Sequence, residues 1–284
     1  MRYGTADPGP GDVLAGGLSG YRNGGWRSIP EPGVVMTTNP APTPTPARTG
    51  RLAQDRILVA VLLAVAAVCW WLTVRSDMAM DPALSGFLLA WLAMMAAMML
   101  PAVLPAVRLY ARASARTAAP TPFFLAGYLL VWTSLGIPAY LARRVVSPAV
   151  MDGEAWAGRF AGAALLVAAA HQLSPLKDAC LSRCRTPLGM FLRARGNLRN
   201  PLTAVRLGAG HAAYCVGCCW AFMLVLVAVG VMEPLWMVGV AGLIFAEKVL
   251  PFGERVVRPA ALVLAAGGLL LLVAPDLLST LTTA

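Results

Sequence analysis

Seven apolar runs constrain this chain more than any other feature, lying at about residues 57–75, 84–107, 122–142, 158–174, 208–231, 234–250 and 257–275. Each approaches the roughly 20 residues that a helix needs to cross the hydrocarbon core of a bilayer. A span in lipid must satisfy its backbone N–H and C=O groups internally, so runs of this length point to helices. Only 13% of the residues are charged, about half the usual share in soluble domains. The expected fold is an all-α, polytopic transmembrane helix bundle of about seven spans.

The formal net charge of +10 raises the question of a nucleic-acid partner, and its distribution answers it. With seven alternating spans and a cytoplasmic N-terminus, 19 of the 23 Lys and Arg residues fall on the cytoplasmic side. Arg75, Arg143, Arg144 and Arg159 alone fall outside. Positive residues near span ends set orientation, so the excess is a topology signal, and no aromatic platform for nucleic acid accompanies it. The expected location is the cell membrane, with an external C-terminus and the lipid bilayer as first partner.

Residues 1–50 hold repeated Gly and Pro and the tract "TTNPAPTPTPARTG". They offer too little apolar surface to offset ordering entropy and are expected to form a disordered cytoplasmic tail ahead of a helical domain over 51–284. The chain has no phosphate-binding glycine loop, paired-carboxylate site or nucleophile elbow, and no repeat relates its two halves. Nothing here calls for an enzyme.

The unusual chemistry lies in "GHAAYCVGCCW", residues 210–220. At 100° per residue, His211, Cys215 and Cys218 share one helix face, with Cys219 beside them. Thiolate and imidazole are ligands for Cu(I) and Zn(II). The rival reading is packing, since cysteine also behaves as a small hydrophobe. In "WLAMMAAMMLP", Met94 and Met98 stack one turn apart, giving thioethers that suit Cu(I) but contribute little to zinc; methionine is equally an adaptable core filler. If the second span runs inward and the fifth outward, the two clusters lie within about two helical turns of one depth.

In "SPLKDACLSRCR", Ser174 is placed to cap a helix with Pro175 at its first position. That helix puts Cys180 and Cys184 one turn apart at the cytoplasmic mouth, as a relay or docking pair or as packing. His171 and Gln172 close the preceding span, where a lone histidine is more often a packing residue than a ligand. In "FAEKVLPFG", Glu247 is a candidate to balance a cation or relay a proton, because carboxylates at membrane depth are costly. Lys248 either faces the interior or snorkels to the interface. "RSDMAMDP", with Asp77, Met78, Met80 and Asp81, is a conceivable metal entry point, though a capping turn is the simpler reading.

The motifs "MMAAMMLP", "QLSPLKDACLSRCRTP", "YCVGCCWAFM" followed by "EPLWM", and "AEKVLP" occur in this order. On these, the chain resembles the bacterial DUF2182 family of predicted metal-binding integral membrane proteins, some labelled copper chaperone, over about residues 57–275. The resemblance implies a membrane protein that binds metal and supplies no reaction. The family pattern has tyrosine at the position of His171, so that histidine is not carried over as a ligand.

Together these readings give three expectations. The first is a Cu(I)-handling membrane protein, with Zn(II) as the alternative metal. Its ligands would be Cys215, Cys218 and Cys219, helped by His211, Met94 and Met98, and it would exchange metal with a cytoplasmic or membrane donor or acceptor protein. The second is a thiol redox protein built on the same cysteines. The third is a structural or assembly subunit in which sulfur only packs.

Overall fold

The structure is a computed structural model that describes residues 46–75, 83–114, 121–193, 198, 200–229 and 234–278. Residues 1–45, most of the expected tail, lie outside it, as do Asp77, Met78, Met80 and Asp81. The described residues form an all-α fold. In chain order the helices are α1 (Pro46–Arg75), α2 (Leu84–Ala113), α3 (Thr121–Ser134), α4 (Gly136–Met151), α5 (Ala155–Gln172), α6 (Pro175–Arg185), α7 (Leu188–Arg193), α8 (Pro201–Val229), α9 (Pro234–Val249) and α10 (Gly253–Val273).

Among the described residues, five stretches are long and apolar enough to cross a membrane: Ala53–Arg75, Leu84–Ala113, Thr121–Val150, Pro201–Val229 and Gly253–Val273. The other two expected spans are α5 and α9. Helix α5 carries Arg159, His171 and Gln172 within its 18 residues, and α9 has only 16 residues. The third stretch is formed by α3 and α4 together, so it runs beyond the expected end at residue 142.

Helices α2 and α8 are the most enclosed. The outer helices present apolar side chains outward, among them Ile57 and Trp71 on α1 and Leu262, Val263 and Val273 on α10. Such faces would be costly in water, and a lipid environment accounts for them. In lipid, helices associate through close packing, which small residues permit. Thus α3 and α8 meet backbone to backbone: a Cβ on Gly127 would strike the Val205 carbonyl, and one on Gly208 the Phe124 carbonyl. Helices α5 and α10 meet in the same way at Gly162 and Gly268.

Polar ties fix the remaining neighbours. The carboxylate of Asp55 on α1 takes Arg108 and Arg112 of α2. Trp91 Nε1 donates to the Trp132 carbonyl at 2.9 Å, linking α2 to α3. Helix α2 continues through Pro101 and Pro105. Ser174 caps α6 as its sequence implies, accepting from the Lys177 N–H at 3.2 Å with Pro175 following.

Candidate metal site

Helix α8 supplies the core of the site. His211, Cys215, Cys218 and Cys219 all lie on its buried side, with 1% of each cysteine accessible. Helix α6 packs against this face and brings two more cysteines. Cys184 Sγ lies 3.8 Å from Cys218 Sγ, and Cys218 Sγ lies 3.5 Å from Cys219 Sγ. Cys180 turns elsewhere and packs over Gly217, where an added Cβ would sit 2.5 Å from its sulfur. The expected pair is therefore split: Cys184 meets the α8 thiols, while Cys180 seats the α6 helix upon α8.

Two polar side chains that sequence reasoning underweighted or missed reach the same sulfur. Lys248 Nζ donates to Cys215 Sγ at 2.8 Å, and the Tyr128 hydroxyl from α3 lies 3.0 Å from it. A buried ammonium is costly unless paired, and here Cys215 is its acceptor. Lys248 thus faces the interior rather than snorkelling. Tyr128 stands in a plain apolar run, "FLAGYLLVW", and no motif marks it. The one signal was a hydroxyl at mid-span, which needs a partner when buried.

Glu247 points into a separate polar cluster. It accepts from Gln172 Nε2 and from Lys177 Nζ, each at 2.7 Å. Lys177 also lies over the Phe222 ring, 4.8 Å from its centroid. Arg185 donates to the backbone carbonyls of Glu247 and Leu250 at 3.1 and 3.0 Å, satisfying groups left open at a helix end. Glu247 therefore ties α9 to α5 and α6 and sets the position of its neighbour Lys248.

Met94 and Met98 are buried in the same apolar cluster as the α8 cysteines. Helix α2 makes its main contacts with α1, α3, α4 and α9. His171 packs on Trp220, with ring centroids 5.2 Å apart. His211 lies beside Phe124 and Tyr128, and its buried Nδ1 has no hydrogen-bond partner among the described residues.

The Cys184 and Cys218 sulfurs stand 3.8 Å apart and those of Cys218 and Cys219 3.5 Å, a cluster of thiols rather than a formed metal site. The donor set is soft, which suits Cu(I) first and Zn(II) second. Among the described residues, no group of three or more His, Cys, Asp or Glu is arranged to hold a metal ion.

Residues 88–271, about two thirds of the chain, match the model of a family described as PpoB2, copper chaperone. No curated protein and no solved structure matches the chain. The matched segment contains the methionine columns, both cysteine helices and the Glu247–Lys248 pair, all within a set of membrane-type helices. This chain belongs to the PpoB2 copper chaperone family.

Proposed function

We propose that this protein receives Cu(I) as cargo in the cell membrane and passes it to an acceptor protein. The observation that carries the reading is the approach of Cys184 on α6 to Cys218 on α8, beside Cys215 and Cys219. Thiols from two helices give a site that opens and closes as α6 moves, which suits transfer better than permanent storage. Cys215, Cys218, Cys219 and Cys184 are the ligands in this reading. His211 stands one turn from Cys215, and Met94 and Met98, buried in the same apolar cluster, are the candidate neutral thioethers of this reading.

Cargo exchange of this kind balances without redox change. A Cu–S bond to a donor thiolate breaks as one to Cys218 forms, and the proton of the Cys218 thiol passes to the departing donor. Lys248 holds a positive charge at Cys215 in the absence of cargo. Two thiolates on one Cu(I) carry a single net negative charge, which Lys248 continues to balance, so neither the loaded nor the empty site holds an unpaired charge. Glu247 serves by positioning Lys248. The N-terminus is cytoplasmic and the C-terminus external in this reading, which puts the α6–α7 segment on the cytoplasmic side.

Copper K-edge absorption of the loaded protein tests it. The expected first shell is sulfur, with the sulfur count falling in Cys184→Ser. A shell of nitrogen and oxygen, unchanged by that substitution, contradicts it.

The Cys184–Cys218 approach also favours a second reading, thiol redox. Exchange with a partner protein's disulfide, which leaves as two thiols carrying the two protons and two electrons, would draw these sulfurs from 3.8 Å to the roughly 2.05 Å of a disulfide. Differential alkylation in cells tests it: the reading requires an oxidised fraction that Cys184→Ser removes. Thiols reduced under all growth conditions leave copper transfer as the function.

A further inference from the structure

A cleft of about 510 Å³ opens between α6, α7 and the N-terminal half of α8, and His211 is among the residues that line it. The volume is that of a small-molecule site. Its walls combine two kinds of chemistry. Arg183 and Arg206 are exposed at the rim, and neither has a carboxylate partner among the described residues. The Arg183 guanidinium lies over the Tyr214 ring at 5.3 Å, which holds it in place while leaving its edge donors free. Thr186 also lines the cleft, its hydroxyl already donating to the Ser182 carbonyl at 2.7 Å.

Deeper in, the character changes. Met190 Sδ lies 3.8 Å from where a Cβ of Gly210 would be, so the missing side chain leaves the sulfur room beside α8. His211 is 97% buried by its 3% residual exposure, lines the cleft, and keeps an unpartnered Nδ1. One helical turn further along the same face stands Cys215. An anion-recognising rim thus leads to a thioether and an imidazole, and then to the thiols.

We propose that this cleft binds a small thiol bearing carboxylates, the form in which Cu(I) reaches the site. The inference rests on the copper reading above and adds the class of carrier. Guanidinium groups recognise carboxylates through paired, charge-assisted hydrogen bonds. A thiol of tripeptide size docked on Arg183 and Arg206 directs its sulfur, and any Cu(I) on it, toward Met190 and His211. Exchange then follows the balance given above: the carrier's Cu–S bond breaks, a protein Cu–S bond forms, and the protein thiol's proton leaves on the carrier.

The test uses the full chain in lipid nanodiscs and isothermal titration with three metal-free probes: glutathione, its S-methyl derivative and inorganic phosphate. Saturable binding of glutathione and of S-methyl glutathione is expected, with phosphate at least about tenfold weaker. Arg183→Gln and Arg206→Gln should each lower glutathione affinity about tenfold, the scale of one charge-assisted bond, and Arg206→Lys should restore part of it. Chelator-buffered Cu(I), supplied with no thiol carrier, should bind both arginine variants as it binds wild type. Absence of saturable glutathione binding, indifference to both arginines, or phosphate binding as tight as glutathione overturns the proposal. Loss of chelator-buffered Cu(I) binding in wild type would instead strike the copper reading itself, so the two failures are separable.

Discussion

Lys177 Nζ donates to Glu247 Oε2 at 2.7 Å, and neither side chain has more than 2% of its surface accessible. The pair joins α6, which carries Cys184, to α9, which carries Lys248. Removing one member of a buried ion pair strands the other charge and costs about 3–5 kcal/mol, whereas replacing both with apolar groups is often neutral. Lys177→Met and Glu247→Leu should each sharply lower the unfolding midpoint of the detergent-solubilised protein. The double variant should recover most of the loss. Three equal losses would show that the pair contributes through packing alone.

Gly217 governs how closely α6 lies on α8. A Cβ there would approach Cys180 Sγ to 2.5 Å, and overpacking of this kind costs about 1–3 kcal/mol. Gly217→Ala should push α6 outward, separate Cys184 from Cys218 and lower Cu(I) affinity. Adding Cys180→Ala should restore it by removing the obstructing sulfur. Rescue measured by Cu(I) competition would assign Cys180 to packing; failure of rescue would make Cys180 a ligand.

Met94 and Met98 are fully enclosed, and leucine fills nearly the same volume, so Met→Leu should cost less than about 1.5 kcal/mol of stability. Thioether suits Cu(I) and contributes little to zinc. Met98→Leu and Met94→Leu should therefore weaken Cu(I) binding and leave Zn(II) binding unchanged. Silence toward both metals would leave these side chains as core filler.

Much of this arrangement was legible in the sequence, and the limit is instructive. Helical periodicity placed His211, Cys215 and Cys218 on one face and Ser174 at a cap, because both follow from spacing along a single helix. It also put Cys180 and Cys184 on one face, yet they serve different contacts, since four residues of separation leave room for two neighbours on the partner helix. Tyr128, Lys177 and the inward course of Lys248 depend on which helices touch. That choice rests on small residues such as Gly127 and Gly208, whose meaning emerges only once α3 and α8 are side by side. Span number depends on α5 and α9: neither is among the five stretches long and apolar enough to cross by length and composition among the described residues, and apolarity alone does not separate a packed helix from a crossing one.

Topology follows from that last point. If α5 and α9 cross the membrane with the other five stretches, reporters fused at residues 190 and 284 should lie on opposite sides, with 190 cytoplasmic. The arginines between residues 183 and 206 favour this outcome through the positive-inside bias. Reporters on the same side would mean that only five stretches cross.

The central claim is that the α6 and α8 thiols hold copper, and competition against a Cu(I) chelator under anaerobic conditions tests it most directly. Serine nearly preserves the size of cysteine but offers a hard oxygen. Cys215→Ser with Cys218→Ser should lower Cu(I) affinity by more than about 100-fold, beyond the range seen when a mere supporting partner is lost. The double variant should still insert and unfold as wild type does. Affinity unchanged in that variant would contradict the account and reduce the cysteines of α8 to helix packing.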